Sequence, residues 1–110
     1  MASAAVSILN DTNFDKTISE SSTPVLVDFW ATWCGPCIRM APVIDQLAGE
    51  LAGSVSFAKL DIDEAPDTAT KFGVMSIPTF IVFKGGQEVG RKVGGGTKNE
   101  LKSFLDAHNK

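Results

Sequence analysis

The nearly continuous apolar run at residues 25–31 constrains the fold of this chain more than any other segment. Its β-branched and aromatic side chains are typical of a central strand buried on both faces. Farther along, apolar residues recur on one helical face from Met40 to Leu51, and Gly53 follows them. Because residues 55–62 form a second apolar run, the sequence predicts a strand–helix–strand unit with parallel strands and a right-handed crossover.

Turn and cap residues predict the elements at the start of the chain and after this unit. A short apolar run at residues 6–9 precedes a predicted helix, for which three polar residues could provide the cap: Asn10, Asp11 and Thr12. A second short helix is predicted to open at Asp63 or Glu64, with Pro66 in its first turn and Gly73 at its end.

The last third of the chain carries a hairpin pattern and a capping box. Residues 78–84 and 88–93 read as strands on either side of Gly85 and Gly86, which accept the positive φ of a tight turn. Thr97 and Glu100 have the spacing of a capping box for a final helix. The resulting order, β-α-β-α-β-α-β-β-α, predicts an α/β fold with a mixed sheet of about five strands flanked by about four helices.

Composition narrows the class of protein. The chain has 110 residues, is 44% hydrophobic and contains seven Phe and two Trp, so it can form a core without disulfides. We find no linker or repeat and expect one domain over residues 1–110. A net charge of −3 argues against nucleic acid or an anionic membrane as the partner. Residues 1–5 lack the pattern of an export signal, which favours a cytoplasmic protein.

The two cysteines, Cys34 and Cys37, lie three residues apart. They stand between the predicted strand at residues 25–31 and the long helix that follows it. A disulfide that closes so short a loop adds little stability, which argues against a structural role. Residues at this spacing on a helix are neighbours, so a small tightening of the turn could close the ring. Pro36 suits the first helical turn and stiffens the pair. The pattern favours a reversible dithiol, with a metal site or a chance spacing as the alternatives.

The position of each cysteine suggests its part in the chemistry. A helix N-terminus stabilises negative charge, so Cys34 is the better nucleophile, and Cys37, one turn in, can resolve the mixed disulfide. A metal site is disfavoured because tetrahedral zinc needs four ligands and the single His, His108, lies far along the chain. Haem attachment would require His where Ile38 stands.

Several segments together resemble the thioredoxin family. The resemblance covers essentially the whole chain and is carried by residues 25–31, by residues 33–37 with Pro42, by residues 77–79 and by residues 92–94. It implies a thioredoxin fold and a monomer that reduces protein disulfides in electron transport and cell redox homeostasis. It also implies no bound cofactor, because a thioredoxin reductase would supply electrons from NADPH or ferredoxin. In this family Gly35 and Pro36 tune the pair toward reduction.

The resemblance assigns further residues to the site. Asp28, an anomaly in an apolar strand, would accept the proton of Cys37 through water, with Lys59 modulating it; the alternatives are an Asp that faces solvent or pairs with Lys59. The Ile77–Pro78 bond would be cis and pack against the disulfide, although propensity alone reads Pro78 as the start of a strand. An apolar collar around Cys34 would bind substrates, and its members are Trp33, Ile62, Ile77, Val93 and Gly94. Plain core packing is the alternative for Ile62 and Val93.

Three residues depart from the family pattern at the border of the site. They are Thr32, Ile38, which replaces a common basic residue, and Ser76, which replaces a frequent Gly. They bear on partner preference and redox poise. Three other functions are weighed against the reductase: an oxidant or isomerase, a binding module that does not depend on redox chemistry, and a pair of chains that share a metal or iron–sulfur cluster.

Overall fold

The computed structural model describes residues 5–108, so residues 1–4, on which the export-signal prediction mainly rests, lie outside it. The elements follow the predicted order. The strands are β1 (Val6–Leu9), β2 (Val25–Trp30), β3 (Ser56–Asp61), β4 (Thr79–Lys84) and β5 (Gln87–Val93). The helices are α1 (Phe14–Glu20), α2 (Gly35–Glu50), α3 (Pro66–Lys71) and α4 (Lys98–His108).

The strands form one mixed sheet in the order β1-β3-β2-β4-β5. β1 and β2 both pair in parallel with β3, β4 runs antiparallel to β2, and β5 runs antiparallel to β4. The predicted strand–helix–strand unit, β2-α2-β3, therefore forms the centre of the sheet, and the predicted mixed sheet is confirmed.

Two apolar layers, one on each face of the sheet, explain why β2 is apolar along its length. Leu26 packs with Met40 and Ile44 of α2 on one face. Val27, next along the strand, packs with Ile18 of α1 on the other. Since side chains alternate along a strand, Asp28 points to the same face as Leu26 and hence toward α2.

The caps of α1 differ from the prediction. Asn13 is the N-cap residue, and none of the three polar residues proposed for that role occupies it. Asn10 instead accepts hydrogen bonds from the backbone N–H groups of Thr12 and Asn13, each at 2.9 Å. Asn10 thus stabilises the turn that leads into the helix, because an Asn side chain competes readily for nearby backbone donors.

The start of α3 was also predicted too early, at Asp63 or Glu64. The helix begins at Pro66, and Asp11 satisfies its first backbone donors. The Asp11 carboxylate accepts from the N–H groups of Asp67 at 3.2 Å and Thr68 at 2.8 Å. The Thr68 hydroxyl also donates to Asp11 Oδ1 at 2.7 Å, and this hydrogen bond, with the two from the backbone, lowers the pKa of Asp11. A cap provided by a distant loop leaves no local pattern in the sequence, which explains the error.

Turn geometry in the last third of the chain follows the prediction. Gly85 and Gly86 have φ values of 61° and 81°, as the β4–β5 hairpin requires. In the capping box, Thr97 N–H donates to Glu100 Oε1 at 2.7 Å, and Glu100 N–H donates to Thr97 Oγ1 at 3.1 Å. The hairpin and the capping box are both confirmed. Among residues 5–108, no helix is both long and apolar enough to cross a bilayer.

Candidate active site

Cys34 and Cys37 lie at the end of β2 and the beginning of α2, and a disulfide joins them. The Cα atoms are 5.3 Å apart, which is within the usual range for a disulfide. Cys34 is the N-cap residue of α2, and its N–H donates to the Ala31 carbonyl at 3.2 Å in the turn that joins strand to helix. This turn ends β2 at Trp30, one residue earlier than predicted.

The start of α2 favours negative charge on the Cys34 sulfur. The backbone N–H of Cys37 donates to Cys34 Sγ at 3.2 Å, and Pro36 in the first turn has no N–H to leave unpaired. The helix dipole adds positive potential at the same point. Both features would favour a thiolate at Cys34 once the disulfide is reduced.

The Ile77–Pro78 peptide bond is cis, and it lies beside the disulfide. Cys34 Sγ is 3.8 Å from the carbonyl oxygen of Ile77. Pro78 is buried, and β4 begins one residue after it, because proline has no N–H for the strand ladder. The Pro78 carbonyl accepts from the Gly94 N–H at 2.8 Å, which connects this loop to the end of β5. The predicted cis bond is confirmed.

Asp28 is the one carboxyl group enclosed in the described core. It is 2% exposed, and its Oδ1 has no hydrogen-bond partner among residues 5–108. Burial raises its pKa from 3.8 to about 7, although the charge of Lys59 opposes the rise. The alternative in which Asp28 faces solvent is therefore wrong. A carboxyl group with this pKa can take up and release a proton near neutral pH.

Lys59 is buried beside Asp28, to which it is the direct neighbour in the β2–β3 register. Its ammonium group lies 4.4 Å from the centre of the Trp30 ring, a cation–π contact that helps to hold a buried cation. Trp30 itself is half-buried and packs against the cluster that contains both cysteines. Lys59 thus acts on Asp28 through its charge while its ammonium group lies against the indole ring.

The five collar residues come from four segments of the chain, namely the loops before α2, after β3 and after α3 and the end of β5, and they differ in exposure. Ile62 and Ile77 are half-buried and pack against the cluster that contains both cysteines. Trp33 and Val93 are 68% and 59% exposed. Core packing, the alternative for Val93, is therefore wrong. Gly94 has a φ of 93°, which favours glycine at this position.

Sequence reasoning missed the residue that orients Trp33. Its indole Nε1–H donates to Asp63 Oδ2 at 2.8 Å, and the Asp63 N–H in turn donates to Asp61 Oδ1 at 2.9 Å. The sequence indicates Asp63 only as a possible start of α3. A polar residue after a strand was the only available signal, and it does not identify a partner 30 residues away.

The metal-site alternative finds no support among the residues that the structure describes. Within 5–108, no group of three or more His, Cys, Asp or Glu side chains is arranged to hold a metal ion. The His108 side chain contacts Phe104 at the end of α4. Its Nδ1 lies 2.9 Å from the Phe104 carbonyl oxygen, and the centres of the two rings are 4.7 Å apart.

Comparison with known proteins agrees with this arrangement. The family model described as Thioredoxin matches residues 5–107. A thioredoxin of Staphylococcus haemolyticus is 53% identical over 94% of this chain and 98% of its own length. A thioredoxin of Haemophilus influenzae is 45% identical over 91% of this chain and 94% of its own. A chloroplastic M-type thioredoxin of Pisum sativum is 47% identical over 94% of this chain and 60% of its own.

A dithiol pair at the start of a helix, on a mixed sheet of this topology, defines a thiol–disulfide oxidoreductase, and here the substrates are protein disulfides. The predicted thioredoxin fold is confirmed. The chain belongs to the thioredoxin family.

Proposed function

We propose that this chain donates electrons to target proteins, with Cys34 as the nucleophile and Cys37 as the resolving thiol. The Cys34 thiolate attacks one sulfur of a target disulfide, and the other target sulfur leaves as a thiolate. Cys37 then attacks the Cys34 sulfur of the mixed disulfide, which releases the second target thiolate and forms the Cys34–Cys37 disulfide. The target gains two electrons that the dithiol loses. The observation that carries the proposal is the position of Cys34 as the N-cap of α2.

In the second step, Asp28 accepts the proton of Cys37. Asp28 points to the α2 face of the sheet, and Cys37 is on the buried side of that helix. A water molecule carries the proton between them. The pKa of about 7 suits this role because a base works best when its pKa is near the operating pH. Lys59 favours the ionised carboxylate through its charge.

The collar of Trp33, Ile62, Ile77, Val93 and Gly94 receives the target. The Ile77 backbone pairs with an extended segment of the target next to its disulfide. Gly35, Pro36 and Pro78 keep the pair rigid and poised toward reduction, and Pro78 offers no ligand that could capture a metal.

The partners are a thioredoxin reductase and disulfide-containing proteins. The reductase returns electrons from NADPH or ferredoxin, so this chain needs no cofactor of its own. We expect a monomer, a single domain over residues 1–110, and action in the cytoplasm without a nucleic acid or membrane partner. Reduction of insulin disulfides, with dithiothreitol as the electron source, tests the activity directly: catalysis above the dithiothreitol background supports it, and none contradicts it.

Replacing Asp28 with Asn should slow the resolution step by about a hundredfold at pH 7.5, the lower end of what general-base catalysis contributes. In the wild type, resolution should rise with pH with a midpoint near 7, because Asp28 accepts a proton only when ionised. Asp28→Asn should lose that component. Rapid-mixing measurements of target release, from pH 5.5 to 8.5, provide the readout.

Asp106→Asn removes an exposed carboxyl from α4 and is the matched control, which should follow the wild-type profile. An unchanged rate and profile in Asp28→Asn would remove Asp28 from the mechanism.

A further inference from the structure

Two large apolar side chains that are close in sequence to site residues are exposed to solvent. Met75 is 96% exposed in the loop between α3 and β4, and Ile38 is 52% exposed in the first turn of α2. Neither belongs to an apolar cluster of the core. Exposed apolar side chains that gather around a reactive group indicate a contact surface, whereas single ones elsewhere need no explanation.

Both residues lie within reach of any protein that binds at the disulfide. Ile38 directly follows Cys37, and Met75 is two residues from Ile77, so each Cα is at most about 4 to 7 Å from that of its site neighbour. The Ile77 carbonyl oxygen is itself 3.8 Å from Cys34 Sγ. A standard interface covers about 800 Å² on each partner, which corresponds to a radius of about 16 Å. A target centred on Cys34 therefore covers both side chains.

The chemistry of these two side chains selects what they can contact. A thioether and a branched alkyl group gain from burial against apolar partners and provide nothing to a charged group that must leave water. Methionine also adapts its shape to different partners, since it is unbranched and polarizable. The surface defined by Ile38 and Met75 thus suits targets with apolar side chains and penalises targets with charged ones.

We propose that Ile38 and Met75 are specificity-determining residues that contact apolar side chains flanking the target disulfide. The inference rests on the proposed function, because it needs a target protein at Cys34. The two residues lie outside the collar described above, and they favour apolar over charged flanks by stabilising the docked complex.

Two disulfide peptides that share one loop but carry either Leu or Glu beside the cysteines test this proposal. The wild type should show a higher kcat/KM for the Leu peptide. Met75→Ser and Ile38→Ser should each reduce that preference by roughly three- to tenfold, which is less than a methylene is worth in an enclosed pocket because both side chains lie on an open surface. The change should fall mainly on KM.

Ile8→Ser is the matched control, because Ile8 is 61% exposed but lies on β1 at the opposite edge of the sheet from β5. It should leave the preference unchanged. Equal preference in wild type and both site variants, or an equal loss in Ile8→Ser, overturns the proposal. A small aromatic disulfide, which needs no docking surface, reports on the dithiol itself.

The small disulfide separates failure of the specificity proposal from failure of the proposed function. If the wild type reduces the small disulfide but neither peptide, protein-disulfide reduction is wrong. If it reduces both peptides equally well, only the specificity proposal is wrong.

Discussion

Cys34→Ser should lower the rate of protein-disulfide reduction by at least about a thousandfold, because it removes the only nucleophile that the helix start supports. Cys37→Ser should behave differently. Its Cys34 can still attack, so the variant should accumulate a mixed disulfide with the target that nothing resolves. Non-reducing electrophoresis and mass spectrometry of the trapped species measure both outcomes.

The double variant Cys34→Ser, Cys37→Ser separates this reaction from a role as a binding module. It keeps the exposed surface around the site but has no thiol. Loss of function in cells agrees with the reductase, whereas full function would support the binding module. A mixed disulfide that forms through Cys37 in Cys34→Ser, as readily as through Cys34 in Cys37→Ser, would contradict the assigned roles.

At pH 8 the free energy of unfolding of the Asp28→Asn variant should be up to about 4 kcal/mol higher than that of the wild type, so the variant should be the more stable protein. Burial raises the pKa of Asp28 from 3.8 to about 7, and each unit corresponds to about 1.4 kcal/mol. Below pH 4 the carboxyl is protonated in both the folded and unfolded states. Between pH 4 and 7 only the unfolded chain ionises, so wild-type stability falls as the pH rises and then levels off.

Because Asn does not titrate, the difference between the two proteins should be small at pH 4 and reach its full size by pH 8. Urea unfolding of the disulfide form at several pH values measures it. Asp106→Asn, which removes an exposed carboxyl, should show no such growing difference. Parallel stability curves for wild type and Asp28→Asn would mean that the buried carboxyl does not titrate as described.

Asp28 thus links function to a cost in stability. A protonated Asp or an Asn would suit the core at neutral pH better than the ionised carboxylate does. The fold nevertheless holds this carboxyl on the α2 face of the sheet, where the proposed function gives it the role of proton acceptor for Cys37. The expected destabilisation follows from burial, which removes most of the hydration of the ionised carboxylate.

The fold was largely predictable because its main determinants are local. The apolar run of β2, the helical spacing of α2 and the glycine pair of the hairpin each specify one element through neighbouring residues. The dithiol was predictable for the same reason, since Cys34 and Cys37 lie within one helical turn. The cis bond at Pro78 was predicted only through the family resemblance, because the preference of proline for cis is weak.

Features that depend on distant contacts were not predictable from the sequence. Asp11 caps α3 across 57 residues, and Asp63 holds Trp33 from the loop after β3. The exposure of Met75, in the loop that leads from α3 into β4, has no local pattern in the sequence either. In each case the residue type does not specify its contacts or its exposure, because these depend on segments that are distant in the sequence.

The structure shows where the three departures from the family pattern lie. Ile38 presents an apolar group to solvent beside the disulfide, Thr32 is exposed in the turn before Trp33, and Ser76 is exposed beside Ile77. None of them has a role in the thiol–disulfide exchange proposed for Cys34 and Cys37. Their place at the rim agrees with an influence on partner choice.

The reduction potential of the Cys34–Cys37 pair tests the central claim most directly. Equilibration with glutathione or a dithiol of known potential, followed by thiol alkylation and mass spectrometry, measures it. A reductant of protein disulfides should have a potential at or below the roughly −220 to −260 mV of a cytosolic glutathione pool. A value between about −120 and −180 mV, the range of oxidants and isomerases, would contradict the account.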